Sequence, residues 1–289
     1  HTFRVWRRFR QSLLPLLFLL SFIIVLLTNQ PIGLTQQPVR EIRGVWMTIN
    51  DKDILSDRSR LQDATNKLAQ LGFNTVYPVV WNSGYAMYPS NLTQSMGIQS
   101  FAYRGSEGQD MLADLIAQAH AYGLKVIPWF EFGFMTPPSS ELVMQHSTWL
   151  TQKLDGSQTS ISDAGEVSWL NPFHPQVQQF ITNLVLEIVT QYDVDGIQFD
   201  DHMSLPVEFG FDRYTLAQYV KETKRKSPTN PRDQAWMRWR ADKITTFMAQ
   251  LEATVKQRKP NLIFSVSPNY YDFAYKFHLQ DWLAWIRRG

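Results

Sequence analysis

The chain has 289 residues, of which 44% are hydrophobic and 19% charged, and it contains no cysteine. This composition excludes a disordered or fibrous chain, and the lack of cysteine excludes disulfide scaffolds, thiol nucleophiles and cysteine-ligated metal centres. The formal net charge is +2, and four arginines fall in the first ten residues, so we expect no strongly basic surface for nucleic acid.

The N-terminal segment predicts export. Its arginines are followed by an apolar run, Leu13–Leu27, and then by a polar stretch, an order typical of a signal peptide. The apolar run is shorter than the roughly 20 residues that span a bilayer. No small-x-small cleavage site follows it, so we expect residues 1–35 to be either a signal peptide or an uncleaved signal anchor that holds the chain at a membrane. In both cases the rest of the chain is expected in the periplasm or cell envelope, or secreted.

After this segment, short β-rich runs alternate with amphipathic helices. The β-runs are Arg43–Ile49, Asn74–Trp81, Lys125–Phe132, Val194–Asp201 and Leu262–Asn269. The helices predicted between them are Arg58–Leu71, Asp110–Tyr122, Pro175–Tyr192 and Gln234–Arg258. Strands that alternate with helices predict an α/β fold with a parallel sheet.

The connections that follow the strands favour a (β/α)8 TIM barrel over a doubly wound sheet. No glycine motif for a dinucleotide or a phosphate loop follows the first strand, whereas long segments with aromatic residues and proline follow several strand ends. A closed barrel needs about eight strands, and only five β-runs are recognisable. We therefore predict a barrel domain over residues 40–289 that is truncated after about five βα units.

The fourth β-run carries the strongest candidates for catalysis. Side chains alternate along a strand, so Ile197 and Phe199 are expected to face the helices, and Gln198 and Asp200 the barrel interior. Asp200 then lies at the carboxyl end of the strand, where barrel enzymes hold their catalytic groups, and Asp201 starts the following loop. The alternative is that one of these acids caps the loop or pairs with an arginine.

Other residues at strand ends suit a sugar site. Glu131 ends the third β-run among aromatic residues, an environment that raises a carboxyl pKa and suits a general acid; a salt-bridged loop residue is the alternative. The fifth run has polar side chains on one face up to Asn269, and Tyr270 follows at the rim. Aromatic side chains can stack on sugar rings or fill the core. The tryptophans in strands or at strand ends are Trp46, Trp81 and Trp129.

Five segments of the chain form a recognisable set. They are RGVWMT at Arg43–Thr48, LGFNTVYPVVW at Leu71–Trp81, GLKVIPWFEF at Gly123–Phe132, WLNPFHPQV at Trp169–Val177 and YDVDGIQFDDH at Tyr192–His202. Together they resemble the glycosyl hydrolase-like family 10 domain, a bacterial group of exported or envelope-attached TIM-barrel proteins. The resemblance implies O-glycoside hydrolysis in peptidoglycan or a related envelope glycan, with the family's acidic pair at Asp200 and Asp201. The chain departs from the family at Gln198 and His202, where members often have His and Tyr. We expect both residues to bind substrate.

Glycoside cleavage uses two carboxyl groups, one to protonate the leaving oxygen and one to attack or to activate water. We predict Asp200 as nucleophile or ion stabiliser and Asp201 or Glu131 as acid/base, without cofactor or metal. A non-catalytic glycan-binding barrel and a purely structural envelope protein are alternatives. A polysaccharide deacetylase with a metal on Asp200, Asp201 and His202 is a further one, although the other histidines lack metal-ligand spacing.

Overall fold

The computed structural model describes residues 41–98 and 108–288. The predicted export segment, residues 1–35, lies outside the described residues. Among the helices that are described, none combines the length and the apolar character that a membrane span requires.

Each of the five predicted β-runs contains a strand. The strands in chain order are β1 (Gly44–Met47), β2 (Thr75–Pro78), β3 (Trp81–Asn82), β4 (Tyr85–Ala86), β5 (Lys125–Val126), β6 (Trp129–Phe130), β7 (Met135–Thr136), β8 (Thr159–Ser162), β9 (Gly165–Trp169), β10 (Gly196–Asp200) and β11 (Ile263–Ser267). Two of them, β5 and β6, come from one run that is interrupted at Ile127–Pro128, because proline has no N–H group for the ladder.

Strands β1, β2, β5, β6, β10 and β11 pair in parallel. Their order is β1-β2-β5 and β6-β10-β11, and backbone hydrogen bonds from Asp195 N to Val126 O and from Gln198 N to Pro128 O carry the pairing past the interruption. Within residues 41–98 and 108–288 no closed barrel forms, and β1 and β11 each have a parallel neighbour on one side only. The α/β fold and the five strands agree with the prediction; the truncation stays a prediction.

The predicted helices form with nearly the predicted bounds. The helices of the described chain are Lys52–Leu55, Arg58–Gln70, Asn91–Ser95, Met111–Ala121, Glu141–Gln145, Pro175–Gln191, Arg213–Thr223, Gln234–Arg258, Tyr271–His278 and Trp282–Arg288, with 3-10 turns at Ile49–Asp51 and Ser147–Trp149. Carboxylates of Asp57, Asp110 and Asp233 cap three of the long helices by accepting backbone N–H groups.

Several features of the chain are absent from the sequence-based prediction, and two of them lie near the predicted strand ends. The antiparallel hairpin of β8 and β9 occupies a segment predicted as a loop, and helix Tyr271–His278 directly follows the rim residue Tyr270. Both lie in connections that start at the carboxyl ends of parallel strands. The loops around the candidate site are therefore more ordered than the sequence indicates.

The two faces of β10 differ as its alternation predicts. Ile197 and Phe199 are fully buried in the main apolar cluster, and Phe199 packs between Phe130 at 5.2 Å and Phe264 at 5.5 Å, measured between ring centroids. On the helix side of β11, the same layer leaves an apolar groove of about 660 Å³. Gln198 and Asp200 of β10 lie on the opposite face of the sheet, which is where the candidate site is built.

Candidate active site

Asp200 ends β10, and each oxygen of its carboxylate accepts a hydrogen bond from the protein. Trp129 Nε1 donates to Oδ2 at 3.0 Å, and the backbone N–H of His202 donates to Oδ1 at 2.9 Å. The residue is only 6% exposed. Burial raises the pKa of Asp200, while the hydrogen bond and the charge of His202 oppose that rise. Asp200 is therefore a buried acid with a fixed orientation.

The His202 ring bridges the acids. Its Nδ1 lies 2.6 Å from the carbonyl oxygen of Glu131, 3.2 Å from Asp200 Oδ1 and 3.8 Å from Asp201 Oδ1. A carbonyl oxygen only accepts, so Nδ1 carries a proton. Burial lowers the pKa of His202, but its hydrogen bond to Asp200 and the two acidic charges outweigh burial and raise the pKa to about 9. The imidazole is thus a cation at neutral pH and balances part of the acidic charge.

Asp201 is the more accessible member of the pair. Its side chain is 38% exposed, and Asn269 Nδ2 donates to its Oδ2 at 2.6 Å. Asn269 was predicted to bind substrate. The structure instead gives its amide a carboxylate partner, so Asn269 orients Asp201 and has one fewer group for a ligand.

Glu131 joins this group from the neighbouring strand run. Asn82 Nδ2 donates to Glu131 Oε2 at 2.6 Å. Burial raises the pKa of Glu131, the Asn82 hydrogen bond lowers it, and the charge of Asp200 adds to the rise. The prediction that Glu131 sits in a pKa-raising environment is confirmed. Asn82 was missed, and its only signal in the sequence is its position just after the second β-run.

An aromatic surface lies on the same face of the sheet. Trp46 is 44% exposed and stacks on Tyr77 at 5.5 Å, with Trp129 edge-on at 6.4 Å. Trp46 Nε1 donates to Gln198 Oε1 at 2.6 Å, and Gln198 Nε2 donates to Ser265 Oγ at 3.1 Å. The predicted inward orientation of Gln198 is confirmed. Because Gln198 is buried and both ends of its amide have protein partners, it supports Trp46 rather than offering a free amide to substrate.

Two residues predicted to bind substrate lie away from the group of acids. Trp81 is only 1% exposed and packs edge-on against Phe180 at 5.6 Å, so its indole belongs to the core and cannot meet a ligand. The strand ends at Pro78 and the chain enters the β3–β4 hairpin, which redirects this side chain. Tyr270 is 71% exposed and lines the groove on the helix side of β11, not the group of acids.

A close backbone approach supports the His202 turn. Gly133 has a φ of +47°, and a Cβ atom there would lie 2.5 Å from the carbonyl oxygen of His202. The N–H of Phe134 donates to that same oxygen at 3.1 Å. Glycine is required at position 133 because any larger residue would displace the turn that carries the acids.

Three side chains of the site are of types that can bind a metal ion. Asp200, Asp201 and His202 each offer one ligand atom, and these atoms lie within 4.8 Å of one another. The nearest imidazole atom, Nδ1, is protonated towards the Glu131 carbonyl and has no lone pair for a metal. The donor set at this point is two carboxylates beside a cation, which fits acid/base chemistry better than a metal centre.

The fold and the site together define a class of protein. Acidic side chains gather at the carboxyl ends of adjacent parallel strands in an α/β sheet, an arrangement typical of glycoside hydrolase-like α/β proteins. Within that class the chain belongs to the family described as Glycosyl hydrolase-like 10, whose model matches residues 41–289. The predicted family is confirmed.

Two curated relatives resemble the chain over most of its length. Glycosyl hydrolase DigH of Escherichia coli (strain K12) is 28% identical over 267 residues, which are 83% of this chain and 58% of the relative. Glycosyl hydrolase YngK of Bacillus subtilis (strain 168) is 25% identical over 269 residues, 87% of this chain and 49% of the relative. The chain therefore spans about half the length of the curated relatives it matches.

Solved structures share the fold. The glycoside hydrolase domain of PgaB (BpsB) from Bordetella bronchiseptica superposes with a TM-score of 0.59 at 16% identity, over 83% of this chain and 70% of that one. Alpha-L-fucosidase isoenzyme 2 from Paenibacillus thiaminolyticus gives a TM-score of 0.59 at 18% identity, over 80% and 32% of the two chains.

Proposed function

We propose that this protein is an exported glycoside hydrolase that cleaves O-glycosidic bonds in peptidoglycan or a related envelope glycan. The observation that carries the proposal is that His202 Nδ1 lies 3.2 Å from Asp200 Oδ1 and 3.8 Å from Asp201 Oδ1. Glu131, at the neighbouring strand end, is close enough for the charge of Asp200 to raise its pKa. Carboxyl groups in such proximity, in different environments, are what glycoside cleavage needs.

The environments of the acids suggest their roles. Burial raises the pKa of Asp200, but both of its oxygens accept hydrogen bonds and it faces the His202 cation. These contacts favour the carboxylate form, which can attack the sugar or stabilise an oxocarbenium ion. Glu131 has a raised pKa, so it can keep a proton for the leaving oxygen. Asp201 is the more exposed alternative for the acid/base role.

The exposed aromatic surface supports a saccharide as the ligand. Trp46 stacks on Tyr77 and donates its Nε1 hydrogen bond to Gln198, so the orientation of the indole is fixed. The indole therefore loses little conformational freedom when a sugar packs against its other face. The envelope as location rests on the export segment expected in residues 1–35, which would also anchor the protein to a membrane if it is not cleaved.

The test is release of reducing ends from purified peptidoglycan glycan strands freed of peptide. We expect the full-length wild-type protein to release them and Asp200→Asn to lower the rate by at least about a thousandfold. Asp163→Asn, the same change at an exposed turn, is the matched control and should retain the wild-type rate. No release by the wild-type protein, or an unchanged rate in Asp200→Asn, would contradict the proposal.

One observation favours a second candidate, a glycan-binding module without catalysis. Both oxygens of Asp200 and one oxygen of Asp201 already accept protein hydrogen bonds, which leaves few free acceptors for a reacting sugar. In that case the same glycan strands would bind, and Trp46→Ala would weaken binding, but no reducing ends would appear.

A further inference from the structure

Gln280 makes an unusual contact with the turn that carries the acids. Its side chain is fully buried, and Nε2 donates to the carbonyl oxygen of Asp200 at 2.9 Å and points towards that of Met203 at 3.4 Å. Its Oε1 is buried and has no hydrogen-bond partner among residues 41–98 and 108–288. A buried acceptor without a partner costs about 1–3 kcal/mol, so stability alone does not account for an amide at this position.

The residue after Gln280 is anchored to the scaffold. Asp281 Oδ2 accepts hydrogen bonds from both terminal nitrogens of Arg238 at 2.8 Å, and Oδ1 accepts from the Tyr271 hydroxyl at 3.0 Å. Arg238 belongs to helix Gln234–Arg258, which packs in the core of the sheet domain. Gln280 therefore contacts the acid turn from a backbone that is itself fixed.

The same segment holds the chain beyond the acids. The N–H of Leu205 donates to the carbonyl oxygen of His278 at 3.0 Å, and the N–H of Val207 donates to that of Phe277 at 2.8 Å. The turn from Asp200 to Val207 is thus attached at several points to the end of helix Tyr271–His278 and its connection to the next helix. Gln280 is the attachment that reaches the catalytic candidate itself.

We propose that Gln280 is a positioning residue: its amide holds the backbone carbonyls of Asp200 and Met203 and so fixes the Asp200 carboxylate relative to its neighbours. The inference rests on the proposed function for its effect on turnover. Without the Nε2 donor both carbonyls lose a side-chain hydrogen bond, and the Asp200 carbonyl retains the N–H of Met203 at 3.4 Å. The turn can then shift relative to Trp129, which donates to the carboxylate. A displacement of about 1 Å at a reacting group lowers turnover by about a hundredfold.

Gln280→Met tests this, because methionine has a similar length and no donor. We expect kcat on peptidoglycan glycan strands to fall by about a hundredfold, with KM within about twofold of the wild type. Asp281→Asn, which weakens the anchor to Arg238 and leaves Gln280 in place, should lower kcat in the same direction by a smaller factor. Thr245→Val is the matched control: it removes the acceptor of the 3.0 Å hydrogen bond from Trp285 Nε1, a contact that involves none of the acids.

A second readout does not depend on turnover. The carboxyl resonance of Asp200, assigned by its loss in Asp200→Asn, is titrated by carbon NMR in the wild type and both variants. Because burial is the largest cause of the raised pKa, a loosened turn that admits water should move the Asp200 pKa down. Glu131, Asp201 and His202, which face Asp200, are unchanged in these variants.

The two readouts separate the two proposals. If the wild type cleaves no glycan but Gln280→Met moves the Asp200 titration, the proposed function fails and the positioning role stands. If Gln280→Met melts as the wild type does and keeps both its kcat and its Asp200 titration, Gln280 is not a positioning residue. The role would also be overturned if Thr245→Val and Gln280→Met lowered the melting temperature equally and lost the same amount of activity.

Discussion

The charge on His202 predicts a specific dependence of stability on pH. Its pKa is about 9 in the folded protein against an ordinary value of 6.5. Because the folded pKa is raised, the stabilisation is fully present below pH 6.5 and is lost as the pH rises through about 9. At about 1.4 kcal/mol for each pH unit, the difference amounts to about 3 kcal/mol.

The perturbation is His202→Asn, in which the amide nitrogen can replace the Nδ1 donor to the Glu131 carbonyl without a charge. Urea unfolding at closely spaced pH values between 6 and 9 gives the free energy of unfolding. We expect the wild type to lose about 2–3 kcal/mol across this range and His202→Asn to lose much less.

Three other histidines do not mimic this slope. Burial lowers the pKa of His146, His174 and His278, so their contribution to stability changes below pH 6.5 and not above it. Equal slopes in the wild type and His202→Asn between pH 6.5 and 9 would refute the assignment of a cationic His202 between the acids.

Three further predictions address the surroundings of the acids. Asn82→Leu removes the donor to Glu131, so the pKa of Glu131 should rise further and the alkaline limb of the pH–rate profile should move to higher pH; an unmoved limb would exclude Glu131 as the acid. Gly133→Ala should lower the free energy of unfolding by about 2 kcal/mol or more in urea titrations, because its Cβ would meet the His202 carbonyl at a positive φ; wild-type stability would contradict the close approach. Trp46→Ala should weaken glycan binding roughly tenfold in calorimetry, and unchanged affinity would remove Trp46 from the sugar surface.

The alternation of apolar and polar residues was sufficient to predict how β10 is oriented against the core. The alternation of Ile197 and Phe199 with Gln198 and Asp200 predicts the observed faces, because a strand with one apolar and one polar face has a single orientation against a core. The same reasoning failed at Trp81. Its run was predicted as one strand, but the ladder ends at Pro78 and the next residues turn into a hairpin.

The partners of the acids could not be read from the sequence. Asn82 is 49 residues from Glu131, and Gln280 is 80 residues from Asp200, so no local spacing links them. Asn269 was identified as a polar rim residue, yet only the structure shows that its amide goes to Asp201. Residue types and strand ends predict which side chains share a site; the pairing of donors and acceptors within it depends on tertiary structure.

The most direct test of a hydrolytic role is digestion of purified glycan strands in heavy-oxygen water, followed by mass spectrometry of the fragments. Attack of water on the anomeric carbon, assisted by the acids at the ends of β6 and β10, places one heavy oxygen at each new reducing end. We predict labelled fragments with the wild-type protein and none with Asp200→Asn. Fragments without label, or no fragments from a protein that binds the glycan, would contradict hydrolysis at this site.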